Sequence, residues 1–314
     1  MKDIKIGVVG IGHLGNYHLQ KYQKLPNSEI IGVADIMEER ARKAAETFNC
    51  KALPDYRDLI GAVDAVSIAV PTVYHHKIAK DFLEARVDVL LEKPISTTLK
   101  EADELVGISE KRGAILQIGF VERFNPAIVA LKTVMRKPLF IEAHRLHPFF
   151  ERGTDVDVIL DLMIHDLDII LNFVKSPIKG VEAVGVSVLS EKVDIANARL
   201  TFQSGCVANV TASRITGKTM QKIRFFEMEG YHAVDYAKRE LVSLSKMNGK
   251  SGQIEIKRNP VEVSNHDPLE EEIRSFLEAV THRTLPPVSG REGRGVLEVA
   301  LLITERIKTQ EIPL

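Results

Sequence analysis

The first 120 residues alternate between short apolar segments and segments with helical spacing, and this alternation constrains the fold more than any other feature. The apolar segments are Ile4–Gly10, Ser28–Asp35, Asp64–Val70, Val87–Leu91 and Ala114–Phe120. The helical segments between them are Leu14–Leu25, Ile36–Phe48, His75–Ala85 and Thr98–Arg112. Strands that are apolar on both faces and separated by helices are typical of a parallel sheet covered on both sides. The sequence therefore predicts an α/β fold that begins with a parallel sheet.

Each predicted strand ends in an unusual segment. The first two segments are GIGHLG, which begins at Gly10, and DI, which begins at Asp35. The other three are PTVYHH after Val70, EKP after Leu91 and VERFNP after Phe120. Parallel sheets bind ligands outside the carboxyl ends of their strands. We therefore expect the five segments to line one edge of the sheet, where a ligand binds.

A glycine-rich turn follows the first strand and opens the first helix, with glycines at Gly10, Gly12 and Gly15. Gly10 permits a tight turn, Gly12 lets the backbone approach a pyrophosphate, and Gly15 lets the helix pack closely on the strand. The free N–H groups of the helix N-terminus attract a pyrophosphate. The turn predicts a dinucleotide site, and the alternative is a purely structural glycine turn.

Asp35 strengthens this prediction because it lies 20 residues after Gly15, at the end of the second strand. An acid at this position accepts hydrogen bonds from the ribose hydroxyls of NAD and would repel the 2′-phosphate of NADP. We therefore predict NAD as the cofactor. The predicted cofactor-binding residues are Gly10, Gly12, His13, Leu14, Gly15, Asp35, Pro71, Thr72, His75, Glu92 and Lys93.

The fourth predicted strand tip carries Glu92, Lys93 and Pro94 directly after apolar residues. A lysine close to a cationic nicotinamide and partly dehydrated is shifted towards its neutral form, which can accept the proton of an alcohol. The alternative is a surface lysine that extends its ammonium group into solvent. Glu92 would contact the cofactor or position the loop, and Pro94 fixes the backbone after Lys93 and permits a cis peptide bond.

The pattern changes after Pro126, where strand-like segments follow one another. They are Lys137–Pro148, Gly180–Ser190, Asp194–Phe202, Cys206–Arg214 and Lys222–Gly230, with turns predicted at Gln203–Gly205 and Lys246–Gly252. Sequential strands joined by short turns indicate an antiparallel sheet. The chief helices predicted here are Asp157–Val174, Pro268–Thr281 and Gly293–Ile307. Because so few helices leave one sheet face bare, we expect a homodimer or a homotetramer.

The helix predicted over Asp157–Val174 is apolar almost all round, with a core-facing seam. Asp161, His165 and Asp168 are predicted to share one polar face beside this seam. A carboxylate four residues before a histidine can fix the imidazole tautomer and support its charged form, which suits a proton acceptor. Asp161 and His165 are therefore candidate catalytic residues beside Lys93, and the alternative is a core histidine or a solvated ion pair. Asp166 is predicted as a surface or cap charge and Asp168 as a structural partner.

Composition excludes several other classes of function. The 314 residues carry a formal net charge of −1, without the basic footprint of a nucleic-acid-binding protein. No apolar run approaches the length needed to span a membrane. Only two cysteines occur, Cys50 and Cys206, without metal-ligand spacing, so we predict neither a disulfide framework nor a metal site. A cytoplasmic location is expected.

Three of these segments resemble motifs of the glucose–fructose oxidoreductase, inositol dehydrogenase and rhizopine-catabolism (GFO/IDH/MocA) family. LEKPIS resembles its Glu-Lys-Pro signature, VPTVYHHKIA its pattern with Pro71, His75 and Ala79, and DLMIHDLDI its catalytic helix. The resemblance implies an NAD-binding Rossmann domain over residues 1–121. It also implies a substrate-binding and oligomerisation α/β domain over residues 122–314, with a large, open, mostly antiparallel sheet.

Two further segments, Phe120–Ala127 and Thr154–Asp168, resemble the family's UDP-N-acetylglucosamine 3-dehydrogenases of lipid A synthesis. Such an enzyme would oxidise the sugar 3-hydroxyl to a ketone for a partner aminotransferase. Many family members have a Gly-Gly pair before the catalytic helix, whereas this chain has Gly153 followed by Asp155 and Asp157. The wall of the substrate pocket is therefore expected to differ.

Arginines near the predicted strand tips suit a diphosphate because of their planar fork, and surface arginines on loops are the alternative. His144 and His147 flank Arg145 on a strand predicted to face the cavity. The predicted substrate-binding residues are Lys93, Arg123, Asn125, Arg145, Asp161 and His165.

Three functions compete at this point. The first is oxidation of UDP-N-acetylglucosamine at its 3-hydroxyl, and the second is oxidation of another nucleotide-sugar, a free sugar or inositol. The third is a non-catalytic NADH sensor, against which Lys93, Asp161 and His165 argue because a sensor has no use for a proton acceptor. Whether Lys93 or His165 takes the proton is left open by the sequence.

Overall fold

The computed structural model describes residues 3–149, 156–248 and 253–308. The chain divides into two compact units, which are described separately. The first unit comprises Met1–Val121 and Asp267–Leu297, and the second comprises Glu122–His266 and Glu298–Leu314. The division after Val121 coincides with the predicted domain boundary. Residues 267–297, which the prediction assigned to the second domain, belong to the first unit instead.

The first unit contains a six-stranded parallel sheet. Its strands are β1 (Ile4–Val9), β2 (Ser28–Ala34), β3 (Lys51–Leu53), β4 (Ala65–Ile68), β5 (Asp88–Glu92) and β6 (Leu116–Gly119). They lie in the order β3-β2-β1-β4-β5-β6, so the strand order reverses beside β1, where sheets of this kind bind ligands. Every residue of β4, β5 and β6 is buried, as predicted for strands covered on both faces. The short edge strand β3 was not predicted.

Helices follow the strands of this unit. They are α1 (His13–Tyr22), α2 (Glu38–Phe48), α3 (His75–Glu84) and α4 (Leu99–Arg112). A later helix, α7 (Pro268–His282), returns to the unit because its apolar face joins the core around β1 and α1. Ile273 and Phe276 of α7 pack in one cluster with Val8 and Leu19. This packing explains why the residues after His266 leave the second unit.

The second unit contains an eight-stranded sheet in which only β7 and β10 pair in parallel. Its strands are β7 (Phe140–Leu146), β8 (Ile178–Val186), β9 (Ile195–Phe202), β10 (Val207–Ser213), β11 (Met220–Phe226), β12 (Gly230–Asp235), β13 (Glu240–Asn248) and β14 (Ile254–Arg258). The predicted open, mostly antiparallel sheet is confirmed. The segment Lys222–Gly230 was predicted as one strand, but it splits between β11 and β12, and β13 and β14 were not predicted. The turn predicted at Lys246–Gly252 falls largely outside the described residues.

Two helices of this unit come early in its sequence, one before β7 and one between β7 and β8. Helix α5 (Pro126–Val134) was not predicted, and α6 (Ile164–Val174) continues directly from a π-helical turn, Ile159–Met163. The last helix, α8, runs from Gly290 to Lys308. No helix in the described ranges is both long and apolar enough to cross a membrane.

Candidate active site

The glycine turn has the shape that a pyrophosphate requires. Gly10 has φ +88°, and a Cβ at Gly15 would lie 1.9 Å from the carbonyl oxygen of Gly10, so both positions require glycine. A Cβ at Gly12 would meet no atom within 4 Å, which leaves open space beside the first turn of α1. His13 and Leu14 are exposed on that turn. The backbone N–H groups at this helix start therefore fit a dinucleotide pyrophosphate.

Asp35 connects the end of β2 to the glycine turn. Its Oδ2 accepts a hydrogen bond from the backbone N–H of Ile11 at 2.6 Å, and its Oδ1 accepts one from Met37 at 2.7 Å. Each carboxylate oxygen has a further lone pair, so the side chain can still accept ribose hydroxyls. The two backbone bonds fix the orientation in which it would do so.

The end of β4 is followed by Pro71, which is exposed, and Thr72, which is partly exposed. His75 was predicted to bind the cofactor, but it is buried, and protein atoms face both of its ring nitrogens. Its Nδ1 lies 2.8 Å from the carbonyl oxygen of Pro94 and its Nε2 lies 2.8 Å from that of Val70. Burial lowers the pKa of His75, whereas these carbonyls and Glu92 act in the opposite direction. A neutral imidazole has one N–H group and so donates to one of the two carbonyls at a time. His75 therefore links the segments that follow β4 and β5.

The segment Glu92–Pro94, called the Lys93 tip below, ends β5. Glu92 is buried, and its Oε2 accepts a hydrogen bond from the backbone N–H of Lys93 at 3.3 Å. Its Oε1 lies 3.2 Å from Nε2 of His18 on α1. Lys93 is partly exposed, and the peptide bond between Lys93 and Pro94 is cis. The strand tip thus presents a lysine whose neighbours on both sides are held by buried histidines.

In the second unit, Asp161 lies in the π-helical turn and His165 in the first turn of α6. Both side chains are partly exposed, whereas Asp168 is fully buried. The three residues were predicted to share one face of a regular helix. The π turn closes its hydrogen bonds over five residues instead of four and so shifts the register between Asp161 and the helix that follows.

Two arginines hold α6 through its buried acids. Arg123 donates from Nε and Nη2 to the two carboxylate oxygens of Asp168, at 2.7 and 2.8 Å. Arg145 donates in the same way to Asp166 at 2.9 and 3.2 Å, and its Nη1 donates to Glu122 at 3.1 Å. The prediction that Asp166 is a surface charge is wrong, because its exposed fraction is 0%. Asp168 is a structural partner, as predicted.

The arginines had been predicted either to bind a diphosphate or to lie on the surface. Both are at least nine-tenths buried, with exposed fractions of 5% for Arg123 and 3% for Arg145. Burial works against the charge of Arg145, yet Asp166 and Glu122 raise its pKa above the ordinary value. In this structure the charge of each guanidinium group is already compensated by carboxylates. Contact with a diphosphate stays a prediction.

The remaining predicted substrate residues have other neighbours in the second unit. Asn125 caps α5 by accepting from the N–H of Ala127 at 3.1 Å, and its Nδ2 donates to Glu122 and to the carbonyl of Tyr236. His147 was predicted to face the cavity with its neighbours on β7. Burial lowers the pKa of His147 and Arg145 lowers it further, while Asp161 acts in the opposite direction. Asp161 therefore has His147 in its electrostatic environment.

His144 does not share a face with Arg145. Residues of β7 alternate between buried and partly exposed, and Arg145 lies on the buried face with Ile141 and Ala143. His144 lies on the opposite face with Glu142. The prediction that His144 and Arg145 both face one cavity ignored the two-residue period of a strand and is wrong.

Sequence reasoning missed His18, Ser67 and Tyr22, which are all fully buried in the first unit. A signal for His18 was present. Gly15, Leu19 and Tyr22 form the buried face of α1, and His18 lies on that face as a polar residue among apolar ones. A buried histidine needs hydrogen-bond partners, so its position alone pointed to a polar neighbour in the core.

Comparison with known families matches most of the chain. Residues 4–120 match the family described as "Oxidoreductase family, NAD-binding Rossmann fold". Residues 128–231 match the family described as "GFO/IDH/MocA C-terminal domain". The two matches fall on the parallel sheet and on most of the open sheet.

Two relatives cover nearly the whole chain. A UDP-N-acetylglucosamine 3-dehydrogenase of Acidithiobacillus ferrooxidans is 38% identical over 305 residues, which are 96% of this chain and 97% of the relative. A myo-inositol 2-dehydrogenase of Thermotoga maritima is 27% identical over 320 residues, which are 94% of this chain and 93% of the relative.

Solved structures agree with this pattern. The structure of the Acidithiobacillus ferrooxidans UDP-N-acetylglucosamine 3-dehydrogenase has a TM-score of 0.90 at 37% identity and covers 98% of this chain and 99% of its own. A levoglucosan dehydrogenase in complex with NADH and L-sorbose has a TM-score of 0.88 at 18% identity, with 98% of each chain covered. At that identity the second likeness supports the fold alone.

Proposed function

The chain belongs to the GFO/IDH/MocA oxidoreductase family, with an NAD-binding Rossmann domain, and from this premise we propose that it oxidises the 3-hydroxyl of UDP-N-acetylglucosamine to a ketone. The observation that carries the proposal is the 38% identity to a UDP-N-acetylglucosamine 3-dehydrogenase over 96% of the chain. An alignment over 96% of the chain includes residues of the second unit as well as of the first. The glycine turn and Asp35 support the cofactor part of the proposal independently.

NAD, which the glycine turn and Asp35 would hold, would supply the acceptor for the hydride from the sugar C3, and the hydroxyl proton would go to a base on the protein. The products are the 3-keto sugar, NADH and one proton. Lys93 is the proposed base or hydrogen-bond donor to the reacting oxygen. The support is its place after the last residue of β5, at the carboxyl edge of a parallel sheet. Glu92 accepts the backbone N–H of Lys93, and Nδ1 of His75 lies 2.8 Å from the carbonyl oxygen of Pro94.

Asp161 and His165 are proposed to take part in the same reaction. The support is that both side chains are partly exposed, whereas the neighbouring acids of α6, Asp166 and Asp168, are buried in ion pairs. Replacing Lys93 by methionine and His165 by asparagine, separately, would show which group takes the proton. The base is the residue whose loss abolishes the rise of turnover with pH.

A second candidate is oxidation of a free polyol or inositol, and one observation favours it. The guanidinium groups of Arg123 and Arg145, proposed for a diphosphate, are paired with carboxylates. A neutral polyol would not need them. The similarity to a myo-inositol 2-dehydrogenase over 94% of the chain agrees with this alternative.

A substrate panel separates the two. Purified protein with NAD would be mixed with UDP-N-acetylglucosamine, other UDP-sugars, free N-acetylglucosamine and myo-inositol, and NADH absorbance and product mass would be recorded. The assay would include an aminotransferase with its amino donor, because an unfavourable ketone equilibrium could hide turnover. A ketone two mass units lighter than the substrate, or its transaminated product one mass unit lighter, found only with UDP-N-acetylglucosamine, supports the proposal. Turnover only with inositol would replace it by the second candidate.

We further propose a homodimer or homotetramer in the cytoplasm, with a downstream aminotransferase as partner. The support for self-association is the open sheet, which carries an aromatic cluster of Phe140, Phe226 and Tyr231. Light scattering of the purified protein at micromolar concentration tests this. A monomeric mass would refute the oligomer.

A further inference from the structure

A chain of buried polar side chains in the first unit ends at the Lys93 tip. Tyr22 Oη lies 2.8 Å from Ser67 Oγ, which lies 3.1 Å from His18 Nδ1. The other ring nitrogen of His18, Nε2, lies 3.2 Å from Glu92 Oε1. Tyr22, Ser67 and His18 all have exposed fractions of 0%, so no ligand can contact them directly. The proposed reaction uses none of these three side chains.

The four side chains are linked by hydrogen-bond distances from Tyr22 to Glu92. Burial raises the pKa of Tyr22, so its hydroxyl stays protonated, and either hydroxyl of the Tyr22–Ser67 pair can donate to the other. A carboxylate only accepts, so Nε2–H of His18 donates to Glu92, and Nδ1 faces the Ser67 hydroxyl. The second oxygen of Glu92 accepts the backbone N–H of Lys93 at 3.3 Å. Each of these buried groups therefore has a hydrogen-bond partner.

Gly119 on β6 provides the space for the Glu92 carboxylate. Glu92 and Gly119 are register partners in the sheet. A Cβ at position 119 would lie 3.0 Å from Cδ of Glu92 and 3.1 Å from each carboxylate oxygen, closer than ordinary contact. The carboxylate is therefore confined between His18 and the sheet, and its position leaves little freedom to the backbone of Lys93.

We propose that His18 is a positioning residue that acts through Glu92 to hold Lys93 in its reactive place. The inference deepens the proposed function and depends on the catalytic role assigned there to Lys93. His18 fixes one carboxylate oxygen, and the other oxygen fixes the N–H of Lys93. A displacement of a reacting group by about 1 Å can cost about a hundredfold in rate, so a small movement of this tip would be visible in turnover.

Two substitutions of His18 separate its two contacts. In His18→Gln the amide nitrogen takes the place of imidazole Nε2 and can still donate to Glu92. In His18→Asn the amide lies at the level of Nδ1, so it can reach Ser67 but not Glu92. Both remove the buried ring, which makes each variant the stability control for the other. Tyr22→Phe removes only the far end of the chain.

We expect kcat of His18→Asn to fall about 10- to 100-fold, with KM and the NAD dissociation constant within about threefold of wild type. His18→Gln and Tyr22→Phe should keep kcat within about threefold. Equal kcat values for the asparagine and glutamine variants would overturn the proposal. If His18→Asn does not fold, Glu92→Gln tests the same contact, because an amide replaces one acceptor with a donor that faces an N–H group.

Hydrogen exchange of the Lys93 amide in the NAD-bound protein gives a measurement that needs no sugar substrate. The amide should exchange faster in His18→Asn than in wild type, and His18→Gln should restore the slower exchange. Unchanged exchange in His18→Asn would refute the contact. If wild type oxidises no sugar in the panel, the proposed function fails, while the exchange rates still decide the positioning role.

Discussion

The Lys93 tip and helix α6 carry the proposed catalytic groups, and the structure holds them by different chemistry. The tip is held by two histidines, with His18 on Glu92 and His75 on the carbonyl of Pro94. Helix α6 is held by two arginines, which bind Asp166 and Asp168 through two hydrogen bonds each. Both arrangements are buried, but the first relies on imidazole rings and the second on ion pairs between guanidinium groups and carboxylates.

The difference separates what each element can tolerate. A buried histidine holds its partners through the positions of its two ring nitrogens, and a shorter side chain cannot reach both partners. An arginine keeps its charge at any pH that the protein meets, so its pair fails only when one partner is removed. Burial lowers the pKa of His75, so we expect the tip to be the element that responds to pH. We expect α6 to be the element whose ion pairs contribute to the free energy of unfolding.

The largest expected effect is on turnover at the tip. Lys93→Met should lower kcat about 10²- to 10⁴-fold, the usual contribution of a positioned proton acceptor. NAD binding, measured by calorimetry, should stay within about threefold because the glycine turn and Asp35 are untouched. Turnover equal to wild type would remove Lys93 from the mechanism.

The next effect is on the folding of α6. Arg145→Met leaves the carboxylate of Asp166 buried without its main partner and should lower the free energy of unfolding by about 3–5 kcal/mol, measured by urea denaturation. Arg145→Met combined with Asp166→Leu should recover part of the loss, since no isolated charge remains.

The matched control is Arg224→Ala. The ion pair between Arg224 and Glu142 lies on the same sheet but has side-chain exposed fractions of 40% and 32%. Its loss should cost less than about 1 kcal/mol. A control variant as unstable as Arg145→Met would contradict the distinction between buried and exposed pairs.

A third effect appears on mild acidification. The pKa of His75 in the folded protein lies below its ordinary value near 6.5, chiefly because of burial. Below that ordinary value the unfolded or opened tip binds a proton that the closed tip does not, so the closed tip loses stability as pH falls. Hydrogen exchange corrected for intrinsic rates should therefore quicken at residues 92–95 between pH 7.5 and 5.5. Exchange in Ile164–Val174 should not change.

His75→Asn serves as the reference for this experiment. Its amide lies at the level of Nδ1, so it can keep a hydrogen-bond donor beside Pro94 while the imidazole is removed, and the part of the pH response that belongs to His75 should vanish. Glu92 and Lys93 act on His75 in opposite directions and remain in the variant. An unchanged pH response would assign the effect to another group.

The smallest effect concerns cofactor choice. Asp35→Ala should raise the dissociation constant for NAD about tenfold and reduce the preference for NAD over NADP by a similar factor, because the ribose loses a charged acceptor. Calorimetric titration with NAD and with NADP measures both dissociation constants. A preference that does not change would show that the bonds from Ile11 and Met37 are the main role of Asp35.

The parts of this molecule that could be predicted were those with a local cause. The apolar strands of the first unit, the glycine turn and Asp35 each follow from residues within one strand–helix repeat, and the structure has them where they were expected. The open sheet was predicted as a type, but three of its strands were missed. Strand β12 begins at Gly230, which was taken as the end of the preceding strand, and β14 is exposed at every residue, so no buried apolar face marked it.

The roles of individual polar residues depended on partners distant in sequence. Arg123 pairs with Asp168, which is 45 residues away, and His18 with Glu92, which is 74 residues away. No spacing rule relates such positions, so a buried arginine and a substrate-binding arginine have the same appearance in sequence. The π turn was also invisible, because the periodicity of Leu160, Ile164 and Leu167 fits a regular helix equally well.

The π turn at Ile159–Met163 also constrains how the chain can change in length. A turn closed over five residues holds one residue more than an α-helical turn of the same path, so it can absorb a deletion that a regular helix cannot. Shortening this turn by one residue would give a continuous α-helix while Arg123 and Arg145 still anchored the acids that follow. Asp161 would then rotate by about a quarter of a turn relative to Asp166 and Asp168. We therefore expect a one-residue deletion in this turn to preserve folding but to change the direction of the Asp161 side chain.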